Sequence, residues 1–581
     1  MANGMGSLYI GASGLRHSQT AMNTTANNLA NVNTTGYVRQ QVLFGDMDYI
    51  KFGRDAAISK QQAGLGLTIA DVLHTRDIFL DRSYRTESGR QAFYETCYST
   101  TSEIETYYQE MEGTAFQDNL EDFWAAFEEF AKDPSDSVNQ NLIMQKASLF
   151  ISRAQSVYSN MQNYQTNMNT RISNDIDRIN EIGHEIYKLN NQIAKIETGG
   201  VETAMGLRDD RDNLLDELSK LAKISYKELS DGTVKVSLEG VSFVDEAHVY
   251  EMGKQVDKLT GFITPYWPHM SDTARGQYSK VFNFGVDICS ENNTDIGELK
   301  AYVMQRGDHW ATYKDIEGMS QEQYNDTTGL SVMLAVEAQI DQLMHNIITS
   351  INDAFCPNIE STTTIAGTDE QGNTVTFPAG TKILDTENCS VGSDGKLPPQ
   401  ELFTRNGCAR YQTITGDDGK TYYVYNEEDT SDTGLMYCTR GVKVNKTVVD
   451  QPSSIPHQVQ KLNAEGKRPI DYALGQKLSD IWKKSELTLS PNSTGTCTFG
   501  EYYSQMIGEL GTAGSIYDTE ASTLEGTATA LDNQRNQVSG VSSEEELTNM
   551  IKYQNGYNAA SRYMSVVSEM IESLVTNLGA G

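Results

Sequence analysis

The sequence lacks almost every signature on which an enzyme, a nucleic-acid binder or a membrane protein is built. No apolar run reaches the ~18 residues that a membrane-spanning helix needs. GxSxG, Walker and GxGxxG loops are all missing, which removes the commonest hydrolase and nucleotide motifs. The seven cysteines include no CxxC, so zinc-ribbon and thioredoxin readings fail. Basic charge is scarce: 46 Lys and Arg stand against 79 Asp and Glu, a net charge of −33. An acidic surface of that size argues against nucleic-acid binding, which needs a basic face. The N-terminus lacks early Lys or Arg, and Leu8-Tyr9-Ile10 is too short for the apolar core of a secretory signal. Acidic residues are absent before Asp46, and only Arg16 and Arg39 carry full side-chain charge there. A long uncharged helix makes a poor solvent-facing surface. Such a helix is expected to be enclosed by protein, here by neighbouring subunits.

Isolated candidates for chemistry do not assemble into a site. His184-Glu185 opens a zincin-like HExxH, but Lys188 stands where the second His is required. The eight histidines lie scattered singly. Asp209-Asp210-Arg211-Asp212 has an Arg inside it, so it reads as a solvated helix face rather than a metal site. Asp417-Asp418-Gly419 lacks the alternating acids of a calcium loop and reads as a hairpin turn. Cys356, Cys389, Cys408 and Cys438 leave room for one or two disulfides, against the plainer reading of buried thiols. No catalytic, cofactor or metal residue is assigned, and neither an enzyme activity nor a cofactor is expected.

What the sequence does have is a seam at each end. Met550, Tyr553, Tyr557, Ala560, Met564, Val567, Ile571, Leu574 and Leu578 step by 3 and 4 without interruption. That spacing keeps one narrow strip on one side of a helix. Leu8, Ala12, Leu15, Gln19, Met22, Ala26 and Leu29 repeat the stepping near the N-terminus. Neither strip has anything in its own segment to bury it. The two ends are therefore expected to find each other or copies of themselves.

Between them the pattern changes several times. A first helix is expected over 5–33, closed by an Asn- and Thr-rich run whose side chains favour caps and turns. Helices follow from about 76 to 223, broken at Asp133-Pro134 because Pro forces the preceding residue out of helix. The long helix 137–196 carries the ladder Ile172, Ile176, Ile179, Ile182, Ile186, Leu189, Ile193 and Ile196. Alternating β-prone residues then predict a β-rich stretch from 224, a helix near 330–355, a second β unit, and helix again from about 500. The fold class is mainly α with β-rich inserted domains, in an elongated multidomain chain. The expected domains are a terminal coiled-coil core (1–50 with 520–581), a helical bundle (51–223, 330–356 and 441–519), a β-rich domain (224–329) and a β-rich insert (357–440).

The run from Gly14-Leu15 through Ala26-Asn27-Asn28-Leu29-Ala30-Asn31-Val32-Asn33-Thr34 to Gly36-Tyr37 and Arg39-Gln40 resembles the N-terminal signature of bacterial flagellar rod, hook and hook-associated proteins. The run Glu544-Glu545-Glu546-Leu547, Ile551-Lys552-Tyr553-Gln554, Tyr557 and Ala559-Ala560-Ser561-Arg562 resembles the matching C-terminal signature. Asn27, Asn28, Asn31, Asn33, Gly36, Tyr37, Gln554 and Arg562 carry it most clearly. Three internal features favour the hook-associated branch that joins hook to filament. They are the helices over 76–223, the stretch Leu207–Ser219, and Gly297-Glu298-Leu299-Lys300 before a helix. A hook or distal-rod protein is the alternative. The resemblance covers about 1–355 and 440–581 and fails over 357–440, which reads as lineage-specific decoration and, in a second alternative, as an adhesin or binding module.

The resemblance implies a structural protein whose termini build one coiled-coil core. It implies export without a cleaved signal through the flagellar type III apparatus, and a chaperone holding the C-terminal helix. It also implies an extracellular ring of subunits between the hook protein and the second junction protein and filament. The assembly seam would then be Leu8, Ala12, Leu15, Met22, Ala26 and Leu29 with Met550, Tyr557, Met564, Val567, Ile571, Leu574 and Leu578.

Overall fold

A computed structural model of the chain describes residues 2–47, 49–51, 62–74, 76–108, 116–199 and 203–578. Twelve α-helices are described: α1 (Ala2–Ala30), α2 (Ile78–Tyr108), α3 (Phe116–Lys132), α4 (Ser137–Glu197), α5 (Met205–Leu221), α6 (Glu298–Arg306), α7 (Gln321–Asp326), α8 (Val332–Phe355), α9 (Lys446–Asp450), α10 (Tyr472–Ile481), α11 (Phe499–Ser539) and α12 (Ser543–Leu578). Strands fill much of the remainder, so the class is mainly α with β-rich parts. The break before α4 falls at Asp133-Pro134, where Asp133 accepts from Ser135 N–H and Asp136 from Val138 N–H. These carboxylates satisfy amide groups that a helix start leaves unpaired. The isoleucine ladder of α4 is buried from Ile172 to Ile193, apart from the half-buried Leu189.

The chain forms two compact units. The first comprises 1–92, 177–251 and 522–581, and the second 93–176 and 252–521. In the first unit, strand Gln40–Asp46 pairs antiparallel with Leu67–His74. A three-stranded antiparallel sheet joins Ile224–Glu228, Val234–Leu238 and Val241–Val244. Its first turn is Asp231-Gly232, with Gly232 at φ +80° and Asp231 accepting from Thr233 N–H.

The expected β domain over 224–329 does not hold together as one sheet. Its strands after 251 belong to the second unit, where Gly253–Val256 pairs with Ile263–Tyr266. Among the described residues no named strand follows until Asn358, and α6 and α7 occupy part of that interval. Alternation of apolar residues marked the strands as far as Val244, and the expected β-rich character does not continue beyond Tyr266.

The second unit has an aromatic core in which Phe123 meets Phe127, Phe150, Phe403 and Trp482 at centroid distances of 5.1–6.1 Å. Helix α8 is buried on most of its surface. Six antiparallel strands between Asn358 and Tyr425 form one sheet. Asp417-Asp418-Gly419 is its hairpin turn, with Gly419 at φ +79°. The boundary expected at 440 is crossed by pairing: Phe403–Arg405 runs beside Val442–Val444, and Ser390–Val391 beside Gln458–Val459. All seven cysteines are free thiols, and Cys356, Cys389 and Cys438 are buried.

Glu337 of α8 is fully buried. One carboxyl oxygen accepts from Ala311 N–H at 3.1 Å and from Gln165 at 3.3 Å, and the other has no partner among the described residues. Burial pushes its carboxyl up to about 8, against the opposing pull of those donors. A carboxyl raised in the folded state gives stability that is complete below its ordinary range and is lost as pH rises through about 8. Glu337→Gln, which copies the neutral form, is expected to raise the melting temperature above pH 8 and to flatten its fall between about pH 5 and 8. Thermal melts across that range check it; an unchanged slope would count against a neutral Glu337.

Candidate assembly site

Helices α1 and α12 pack against each other within one chain, and they run antiparallel. A Cβ placed on Gly11 would lie 2.5 Å from Met564 Cγ, and one on Gly14 3.1 Å from Ala560 Cβ. Gly556 sits the same way against Ser18 Oγ, at 3.2 Å. Farther along, Asn28 Nδ2 donates to Glu546 at 3.1 Å. As numbers rise on one helix they fall on the other.

The contact uses the C-terminal ladder much as its spacing foretells. Val567 is 6% exposed, while Met550, Tyr553, Tyr557, Ala560, Met564 and Ile571 are half-buried on the same face. Leu574 is 58% exposed and lies beyond the contact. The side chain of Leu578 falls outside the described residues.

The N-terminal ladder behaves differently. The residues that turn toward α12 or into the unit are Gly11, Gly14, Ser18, Ala21, Thr25 and Asn28. They repeat the 3/4 stepping one residue ahead of the expected seam, a rotation of about 100°. Leu8, Leu15, Met22 and Leu29 are half-buried on the flank, and Ala12, Gln19 and Ala26 are exposed. Small residues win this face because they let two backbones approach closely, and larger side chains there would hold them apart. A strip of Leu and Met is thus left open on α1. Ile551, Val566 and Met570 add exposed apolar surface on α12. The hairpin buries one seam and displays another.

The Asn-rich signature fixes the base of this hairpin. Asn31 closes α1 by donating through Nδ2 to Asn27 O at 2.9 Å, and Thr34 donates to Asn31. Buried Asn28 donates to Gln40 O at 2.9 Å and accepts from the Tyr37 hydroxyl at 2.9 Å. Burial and the nearby carboxylates of Asp209 and Glu546 push the Tyr37 phenol up. Arg39 pairs with Glu546 and Glu545, both at 2.8 Å. Asn33 is exposed in the loop, and Gln554 and Arg562 face outward on α12, so the structure does not bring these three signature residues into the contact. Gly36 has φ +74°, and a Cβ there would lie 1.8 Å from the Asn213 side chain. Gly36→Ala is expected to cost about 1–2 kcal/mol, the left-handed penalty of an L-residue, read as a lower urea midpoint of the first unit.

One sequence expectation is overturned here. The cluster around Asp209–Asp212 is not a solvated helix face. Asp209 and Arg211 are buried, and α5 aims Asp209, Asp212 and Asp216 at three arginines and a histidine. Asp209 accepts from Val38 N–H at 3.2 Å and meets His74 at 2.8 Å. Asp212 meets Arg76 at 2.7 Å and Arg85 at 3.1 Å. Asp216 meets Arg85 at 2.5 Å and Arg535 at 2.7 Å, and Asp81 meets Arg76 and Arg535 at 2.7 and 3.1 Å. Tyr226 and Tyr84 cover the Arg85 and Arg535 guanidinium groups at 4.7 and 4.3 Å. The signal was present in the sequence: acids at 209, 212 and 216 share one helix face. Among the described residues no group of three or more His, Cys, Asp or Glu is placed to hold a metal, and no helix is long and apolar enough to cross a membrane.

Known families match three parts of the chain. Residues 101–355 match the flagellar hook-associated protein FlgK helical domain. Residues 8–37 match the flagella basal body rod protein, and 533–578 the flagellar basal body rod FlgEFG protein C-terminal. The last two segments are the helices that pair here. Flagellar hook-associated protein 1 of Bacillus subtilis (strain 168) is 24% identical over 569 residues, covering 97% of this chain and 96% of its own.

Over nearly its whole length the chain is similar to flagellar hook-associated proteins.

The same-named protein of Salmonella typhimurium is 22% identical over 585 residues, covering 97% of this chain and 98% of its own. The solved flagellar hook junction protein FlgK from Burkholderia pseudomallei aligns with 79% of this chain and all of its own at a TM-score of 0.47 and 13% identity. The chain is a structural flagellar component.

Proposed function

We propose that this chain is a subunit of the junction between flagellar hook and filament. In this reading it joins copies of itself, the hook protein below, and the second junction protein with the filament above. It acts outside the cell, reaches that place through the flagellar type III apparatus with a chaperone on α12, and catalyses nothing. Residues 1–50 and 520–581 serve as its core domain. The observation that carries the reading is the terminal hairpin: two signature segments pair, and a second apolar strip stays open. Leu8, Leu15, Met22 and Leu29 form that half-buried strip on α1, and burying it between copies would couple assembly to the contact.

Labelled protein imaged on cells is expected as one spot between hook and filament. Deleting 550–581 is expected to abolish incorporation and leave the second unit folded. A spot along the filament, or incorporation of the truncated chain, would sink the reading.

A further inference from the structure

The second unit contains a cavity that the junction role does not use. Its volume is about 340 Å³, within the range of small-molecule sites. Phe282, Val303, Met304 and Leu334 line its apolar part, and each is less than a tenth exposed. Arg306, at the C-terminal end of α6, forms part of the wall and is 1% exposed. Its guanidinium donates to Asn169 Oδ1 at 2.7 Å, Ile263 O at 2.9 Å and Gly307 O at 2.9 Å. All three acceptors are uncharged. Among the described residues no carboxylate lies within ion-pair distance of Arg306; burial pulls its guanidinium down to about 10, opposed only in part by the more distant charge of Asp308.

The mouth has its own balance of charge. Asp308 and Asp315 both hold His309, at 2.6 and 3.1 Å, and these carboxylates raise the imidazole to about 10. The two acids are thereby occupied by a cation of the protein. Exposed Lys280 makes no close ion pair among the described residues, although its charge reaches Asp308, and Asp326 is the remaining acid on the rim. A buried cation whose direct partners are all uncharged is costly, and a ligand anion in contact with it would relieve that cost.

We propose that this cavity binds a small amphiphilic carboxylate, its apolar body against Phe282, Val303, Met304 and Leu334 and its head toward Arg306 and Lys280. The site distinguishes a charged head from a neutral one of the same shape. A peptide ending in an apolar residue carries the same chemistry on a larger body, and the cavity, enclosed on its apolar side, favours the free molecule.

The test is calorimetric titration of the full chain with decanoate, with decanamide, and with a hexapeptide ending in leucine. Decanoate is expected to bind saturably at one site, at least tenfold more tightly than decanamide or the peptide. Lys280→Glu, at an exposed position, is expected to weaken decanoate at least fivefold and leave decanamide unchanged. Thr327→Trp, which narrows the rim, is expected to weaken both, with circular dichroism unaltered. No saturable binding, equal affinity for acid and amide, or a preference for the peptide would each overturn the proposal.

Discussion

A chain carrying Leu15→Asp is expected to fold, to keep its terminal hairpin, and to fail to enter the flagellum. Leu15 is half-buried on the flank of α1, beside the face that meets α12 rather than in it. An aspartate there keeps access to water in the isolated chain. Enclosed between copies it would be a desolvated charge without a partner, at about 3–5 kcal/mol for each contact made. Val567→Asp supplies the contrast. Val567 is 6% exposed against α1, so its replacement is expected to open the hairpin before any assembly begins. Circular dichroism and limited proteolysis of the purified chains should separate the two, and incorporation on cells should fail in both. Normal motility with Leu15→Asp would mean that the open strip is not an interface. Proteolysis that opens both hairpins equally would mean that Leu15 belongs to the internal seam.

Asp212→Asn is expected to lower the stability of the first unit by about 3 kcal/mol, since it leaves Arg76 and Arg85 short of a buried counter-charge. Removing a pair member costs more than the pair contributes, because the remaining charge stays desolvated. Although burial opposes it, the Arg76 and Arg85 guanidinium groups hold the Asp212 carboxyl below its ordinary value. A carboxyl lowered in the folded state gives stability that is complete above its ordinary range and is lost as pH falls through its folded value. The wild-type unit should therefore lose stability with acid below about pH 4, and Asp212→Asn should flatten that loss. Urea melts at pH 7 and pH 3 decide it. A variant as stable as wild type at pH 7 would show that the network is dispensable.

Much of this was legible before any coordinates. Helix α4 begins and ends within a residue of the expected 137–196, and Asp133-Pro134 marks the break between it and α3. The C-terminal ladder from Met550 to Ile571 lies half-buried or buried along one face of α12. Other readings failed for a common reason. Gly11, Gly14 and Ser18 are poor in apolar surface, so no hydrophobic pattern marks them, yet their small size makes them the contact face. Asp209, Asp212 and Asp216 looked solvated because charge usually is. Their counter-ions, Arg76, Arg85 and Arg535, are far away in the chain. The strands after 251 paired with partners that alternation alone could not name.

By itself the sequence determined which segments are helices, that both ends carry narrow seams, and which family those ends resemble. Periodicity is a local property, and it states which residues share a face. Only the tertiary structure decided what each face meets. It set α1 against α12 through glycines, rotated the leucine strip outward by one residue, and buried a cluster of charges that the sequence had left in water. Those outcomes depend on how closely two backbones can approach and on where distant counter-charges arrive, and neither is written in the spacing of one segment.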